Sequence, residues 1–171
     1  MKHYVYVGSR TTRERNARGN GIEVYETDYS TGIWRHIQTV GGLENPSYLC
    51  MDKTHNYLYA VHGDQTHASA LKIDHESGCL SLINTVDIHG QNPVYLIPDK
   101  SNQFILISCL GTENIVAVRR NSDGSLGNVA FNYHLPGAEE GKNSCPHQIF
   151  YDRHEKYLIV SAKGGRDITT G

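Results

Sequence analysis

The sequence predicts an all-β fold: a β-propeller of four-stranded antiparallel blades, incomplete, with about three to three and a half blades present. Three observations predict it. Tyr is abundant at 11 of 171 residues, and Val and Ile recur in short runs between Gly, Asn and Asp, which is strand-and-turn composition. Three segments repeat one pattern: NPSYLCMDKTHNYLYAVHG, NPVYLIPDKSNQFILISCLG and CPHQIFYDRHEKYLIVSAKG. Finally, no stretch carries a helical period of apolar residues.

The repeat aligns on an aspartate. Asp52, Asp99 and Asp152 are spaced 47 and then 53 residues apart, and each has a proline six residues upstream: Pro46, Pro93 and Pro146. That period is close to the ~40–50 residues of one propeller blade. Within a unit the proline opens strand A, the Asp and its neighbours (MDKTHN, PDKSNQ, YDRHEK) make the A–B turn, and an apolar run makes strand B. Strand C follows (GIEVYE, ASALKI, NIVAVR), then a turn with Gly (STG, ESG, SDG), then strand D (IWRHIQTV, LSLINTV, LGNVAF).

The units run approximately over residues 1–45, 46–92, 93–145 and 146–171, all in one partial propeller domain. In the first, Tyr4 to Val7 match strand B, so that unit lacks its own strand A. The last ends after strand B, where DITTG leaves strands C and D unmade. A ring takes ~4–8 blades, so a fragment or an interrupted reading frame is expected. A β-sandwich with chance similarity is the competing architecture, and three units matched at the same offsets weigh against it.

Charge is nearly balanced, 16 basic against 18 acidic side chains, which gives no general nucleic-acid binder. The opening MKHYVYVGSR is too short an apolar run for a signal segment or a membrane span. Cys50, Cys79, Cys109 and Cys145 are widely spaced with no CxxC pair, and read as reduced thiols of a cytoplasmic protein. No GxSxG elbow, phosphate-binding loop or GxGxxG is present, so serine-hydrolase and nucleotide-fold readings have no support.

The stretches YVGSRTTRERNARGNGIEVYETDYSTG, NPSYLCMDKTHNYLYAVHGD and CPHQIFYDRHEKYLIVSAKGGRD resemble successive blades of the seven-bladed lactonase family, over essentially all of residues 3 to 167. That family holds propeller-type 6-phosphogluconolactonases and carboxymuconate cyclases. The resemblance implies a hydrolase of a sugar lactone, possible phosphorylation of that small molecule included, with no cofactor. A cycloisomerase and a non-enzymatic binding platform are the alternatives. One departure is plain: after Asp167 the family continues with strand C and about half a ring more.

Loops into strand A and out of strand B share one rim, and they are the longest and most polar loops in the chain. His147 opens an innermost strand there, where the repeat has Ser47 and Val94, so the repeat itself does not ask for imidazole. Lactone opening needs a proton carrier near neutral pH, which His supplies. The resemblance carries the family's implicated histidine onto His147. The competing role is a structural His bonded to loop backbone.

Arg10, Lys163, Arg166 and Asn92 are the expected substrate-binding residues, since guanidinium and ammonium groups suit an anionic sugar acid. Arg13, Arg15 and Arg18 share the first loop with Glu14 and fit a solvated charged loop as well; Arg166 and Asp167 could pair with each other. Glu139 and Glu140 precede His147 and could orient it or stay solvated. His62 and His67 flank Asp64, yet no compact ligand set results, so no metal is expected. The uncovered blade edges at both ends also predict self-association.

Overall fold

The chain is described here by a computed structural model covering residues 2–164. The expectations for Arg166 and Asp167 lie outside the described residues. β1 (His3–Gly8), β2 (Ile22–Asp28) and β3 (Ile33–Val40) form a three-stranded sheet in the order β1-β2-β3. β4 (Pro46–Met51), β5 (Tyr57–His62), β6 (His67–Ile73) and β7 (Leu80–Asp87) form a four-stranded meander. A second meander holds β8 (Pro93–Pro98), β9 (Phe104–Cys109), β10 (Asn114–Arg120) and β11 (Leu126–His134). β12 (Pro146–Tyr151) pairs with β13 (Leu158–Ala162). Every pairing is antiparallel.

These are blades. The first unit supplies strands B, C and D, the last supplies A and B among the described residues, and the two complete units hold β4 to β7 and β8 to β11. Strands A of successive units (β4, β8, β12) lie beside one another, so they line the centre, while β3, β7 and β11 lie outermost. Among the described residues the one helical element is a single 3-10 turn, Arg13–Arg15, in the first rim loop.

The A–B turns show why the aspartate repeats. Asp52 Oδ1 accepts the backbone N–H groups of Asn56 and Tyr57, and Oδ2 accepts Thr54 N and Oγ1. Asp99 does the same for Gln103, Phe104 and Ser101, and Asp152 for Lys156, Tyr157 and His154. One carboxylate thereby satisfies the donors of a turn that closes through a left-handed residue, His55, Asn102 or Glu155.

Neighbouring units are joined by a device that also repeats. The Tyr4 ring packs on Gly78, which turns at φ +74, and Tyr6 Oη donates to Gly78 O at 3.0 Å. One unit on, the Tyr57 ring packs on Gly124 at φ +84, and Tyr59 Oη donates to Gly124 O at 2.8 Å. A Cβ at either glycine would stand 2.2 Å from the ring, so only glycine fits. On the outer strands, the Gln38 amide makes two hydrogen bonds to the Leu80 backbone, and the Asn84 amide makes the same two to Leu126.

Apolar side chains fill the first two junctions. Ile22 and Val24 of the first unit pack on Leu58, Ala60, Leu71 and Leu80. Tyr59, Val61 and Ala68 pack on Leu96, Ile105 and Ile107. Burial of these side chains holds successive blades against one another.

Candidate active site at the channel rim

Each strand A is entered through a strained residue. Asn45, Asn92 and Cys145 precede the three prolines and hold φ of 44, 50 and 48°. A residue before proline ordinarily stays extended, and asparagine tolerates the left-handed region better than most. Its carbonyl accepts the N–H of the residue that closes strand B: Gly63 on Asn45, Leu110 on Asn92, Lys163 on Cys145. Beyond the proline every strand A carries a bulge, leaving Ser47, Val94 and His147 out of register between their neighbours. A bulge re-aims its side chain. His147 is thereby exposed at the rim, opposite the end of β13 where Lys163 follows.

Arg10, directly beyond β1, is on the same rim. Its guanidinium bonds to the Asp64 carboxylate and lies against Gly63, where a Cβ would stand 3.1 Å from its nitrogen and 2.7 Å from Ser47 Oγ. Arg10 is thus placed beside Ser47, the second unit's counterpart of His147. Arg15 grips the same carboxylate from outside, Nε to Oδ2 at 2.8 Å and Nη2 to Oδ1 at 2.5 Å. Those hydrogen bonds, Arg15 first, hold the Asp64 carboxyl below its usual range. Arg13 and Arg18 are exposed.

Asn92 works as a clamp. Its Oδ1 accepts Asp64 N at 2.9 Å, and its own N–H donates to Gln65 O. Asn45 does more: Oδ1 takes the N–H groups of Thr11 and Thr12, and Nδ2 donates to Gly63 O. Each amide thus fixes the rim loop of the preceding unit. At the third junction the direction reverses, and Glu113 reaches forward to accept Ser144 N at 2.8 Å, three residues before His147. The recurring Asn-Pro at 45–46 and 92–93, broken at Cys145–Pro146, is the sequence signal for these clamps.

His147, Arg10, Lys163 and Asn92 therefore share one face, at the end of the blades opposite the Asp52, Asp99 and Asp152 turns. Other candidates go elsewhere. His62 is buried; its Nδ1 meets Glu44 O at 2.5 Å and its Nε2 meets Ser69 Oγ at 2.7 Å, and burial holds its pKa down. It is a neutral strut. Glu139 and Glu140 line an open cleft of about 430 Å³ with Glu113, His134 and Lys142, in a lining that leaves out His147. Among the described residues no three His, Cys, Asp or Glu side chains gather as metal ligands. Burial pushes the Cys109 thiol up to about 12 and raises Cys50 as well, so neither is a thiolate nucleophile at neutral pH.

The repeated antiparallel blades define a β-propeller. The family described as lactonase, 7-bladed β-propeller, matches residues 4–170, and the chain belongs to it. The chain is similar to the 6-phosphogluconolactonase of Formosa agariphila, 35% identical over 108 residues covering 61% of this chain and 30% of that protein. It is 28% identical to that of Bacillus subtilis over 127 residues, 73% of this chain and 35% of the relative. It also superposes on the periplasmic gluconolactonase of Pseudomonas aeruginosa with a TM-score of 0.83 at 20% identity, covering 96% of this chain and 48% of that one. A candidate 6-phosphogluconolactonase of Bacteroides fragilis gives 0.82 at 21%, covering 94% and 45%. At those identities the superpositions show the fold. The chain spans about a third of the length of the curated relatives it matches.

Proposed function

We propose that this chain carries part of the active site of a lactone hydrolase, acting on a sugar lactone at the channel mouth, with 6-phosphogluconolactone as its substrate. The observation that carries this is His147 standing free on the strand-A bulge, on the face that also holds Arg10 and Lys163. Water attacks the ring carbonyl, and His147 takes its proton as the new C–O bond forms. The ring C–O bond then breaks, and the leaving oxygen receives the proton from the imidazolium, giving the open hydroxy acid. Arg10 and Lys163 hold the phosphate; Arg166 belongs to the same proposal from outside the described residues. Asp64 takes one donor of the Arg10 guanidinium, which has five, so others can face a ligand. Asn92 acts by holding the loop that carries Asp64.

Four free cysteines fit a reducing, cytoplasmic setting, and among the described residues no helix is long and apolar enough to cross a membrane. We also propose that the 171-residue chain self-associates through open blade edges.

The experiment is a titration of the isotope-labelled chain with 6-phosphogluconate, followed by NMR. Shifts should centre on His147, Lys163 and Arg10; shifts centred on the Glu139–Glu140 cleft would move the site. In a complete seven-bladed ring bearing these blades, His147→Ala should cut lactone turnover by about a hundredfold or more. An unchanged rate makes His147 structural.

A further inference from the structure

His147 and Lys163 both belong to the last unit, and the backbone laces their loops together. Ser144 O accepts the Gly164 N–H at 2.9 Å, and Cys145 O accepts the Lys163 N–H at 3.2 Å. The Gly164 carbonyl in turn accepts the Ala138 N–H at 2.8 Å. Whatever fixes Ser144 therefore fixes the loops of both side chains.

Ser144 is 0% exposed, so its N–H is out of reach of solvent and needs an acceptor inside the protein. Glu113 is that acceptor, through Oε2 at 2.8 Å across 31 residues of chain. The loop that carries Glu113 is itself fastened to the third unit. Leu110 N–H donates to Asn92 O, Gly111 N–H to Gln91 O, and Gln91 N–H to Thr112 Oγ1. Glu113 O accepts the Leu135 N–H at 2.7 Å. Glu113 holds φ of 59°, where glycine would fit the backbone better. A glycine there could not supply the bond to Ser144. In the second and third units the residue before proline, Asn45 or Asn92, reaches back to the preceding loop. Cys145 stands in that place in the last unit, and a thiol is a weak acceptor. Glu113 supplies the link from the other side.

We propose that Glu113 is a positioning residue: its carboxyl oxygen fixes the entry to β12 against the third unit and so sets where His147 and Lys163 stand on the rim. The proposal rests on the reading of those two residues as site residues. Displacing a proton carrier by about 1 Å costs about a hundredfold in rate, so a link three residues from His147 bears on the chemistry without touching substrate. Farther along β12, Ile149 is buried and the strand lies against β8 and β9, which holds the blade in place by packing. The Glu113 bond acts at the rim end.

The test is NMR of the isotope-labelled 171-residue chain with two substitutions. Glu113→Gly suits the left-handed turn and removes the acceptor; Glu113→Gln keeps an acceptor oxygen. Backbone order parameters at Ser144, Cys145 and His147 should fall from the rigid range, about 0.85, to below about 0.6 in Glu113→Gly and stay near the parent in Glu113→Gln. Order in β8 and β9 and the urea midpoint should match the parent in both. Glu113→Gly should need at least about tenfold more 6-phosphogluconate to move the His147 and Lys163 signals. Glu140→Gln, which changes the charge of the same cleft, should alter neither readout. A Glu113→Gly chain as ordered at His147 as the parent overturns the proposal. So does a loss of order that Glu113→Gln fails to restore, or one that Glu140→Gln reproduces. Disorder spreading into β8 and β9 makes Glu113 a residue of the fold and overturns it as well. A parent whose His147 and Lys163 signals ignore 6-phosphogluconate ends the lactone reading, and the order parameters then decide alone whether Glu113 sets their place.

Discussion

The residue carrying most electrostatic weight is Asp52, and it is on the face away from the proposed site. It is 1% exposed, and besides its own turn it accepts Asn102 Nδ2 and Arg120 Nη2, each at 3.0 Å. Arg120 lies over the Tyr57 ring, 5.1 Å from its centroid. Burial alone would raise the Asp52 pKa; the hydrogen bonds from Thr54, Asn102 and the Tyr57 N–H outweigh it and bring the group down to about 2. The folded state therefore binds this proton more weakly than the unfolded chain does. The stabilisation, about 2 kcal/mol, is present above the ordinary carboxylate range and is lost as pH falls through about 2. Asp52→Asn leaves a mostly buried guanidinium without its counter-charge and should cost about 3 kcal/mol or more. Urea melts at near-neutral and strongly acidic pH check both claims: the variant's acid sensitivity should be shallower than the parent's. Equal slopes would place the acid sensitivity at another carboxylate.

Between elements, the junction device makes the sharpest predictions. Gly124→Ala should destabilise by at least about 2 kcal/mol, since it combines a left-handed backbone with a Cβ driven into the Tyr57 ring. Tyr59→Phe removes only the hydroxyl that bonds Gly124 O and should cost about 1 kcal/mol, leaving a buried carbonyl short of its donor. Denaturant midpoints at unchanged slope measure both. If Gly124→Ala proves the milder of the two, ring-on-glycine packing is not what holds the blades in step. The sequence shows Tyr4, Tyr6, Tyr57 and Tyr59 as strand residues and Gly78 and Gly124 as turn residues. What hides the pairing is distance along the chain: Tyr6 and Gly78 are 72 residues apart, and nothing local to either says that they meet.

At the scale of the whole molecule, stability should be graded along the array, because each unit touches only its neighbours. The second and third units have a packed junction on each side or share the largest buried cluster, while the last unit buries Ile149 and leaves Leu158 and Ile159 about two-fifths exposed. Amide hydrogen exchange should therefore be slowest in β5 and β9 and fastest in β13. Uniform protection would mean the chain opens only as one body.

The sequence alone determined the blades. Proline, aspartate and the apolar runs sit at fixed offsets, and each acts locally: the proline opens a strand, the carboxylate satisfies the turn just ahead of it, and alternation sets which face is apolar. The end units and the rim followed from counting strands. Rim placement of His147, Arg10, Lys163 and Asn92 followed from the direction of a meander. Only the tertiary structure decided what those side chains touch. It put Arg10 and Arg15 on one carboxylate of the next blade, turned Asn92 into a loop clamp, buried His62 against Ser69, and swung the Glu139–Glu140 loop into a cleft of its own. Arg10 and Arg15 meet Asp64 across 54 and 49 residues, Asn92 reaches back 28 residues, His62 meets a residue of the adjacent strand, and the Glu139–Glu140 loop has no repeat partner; the pattern of one strand carries no information about which of these side chains it will face.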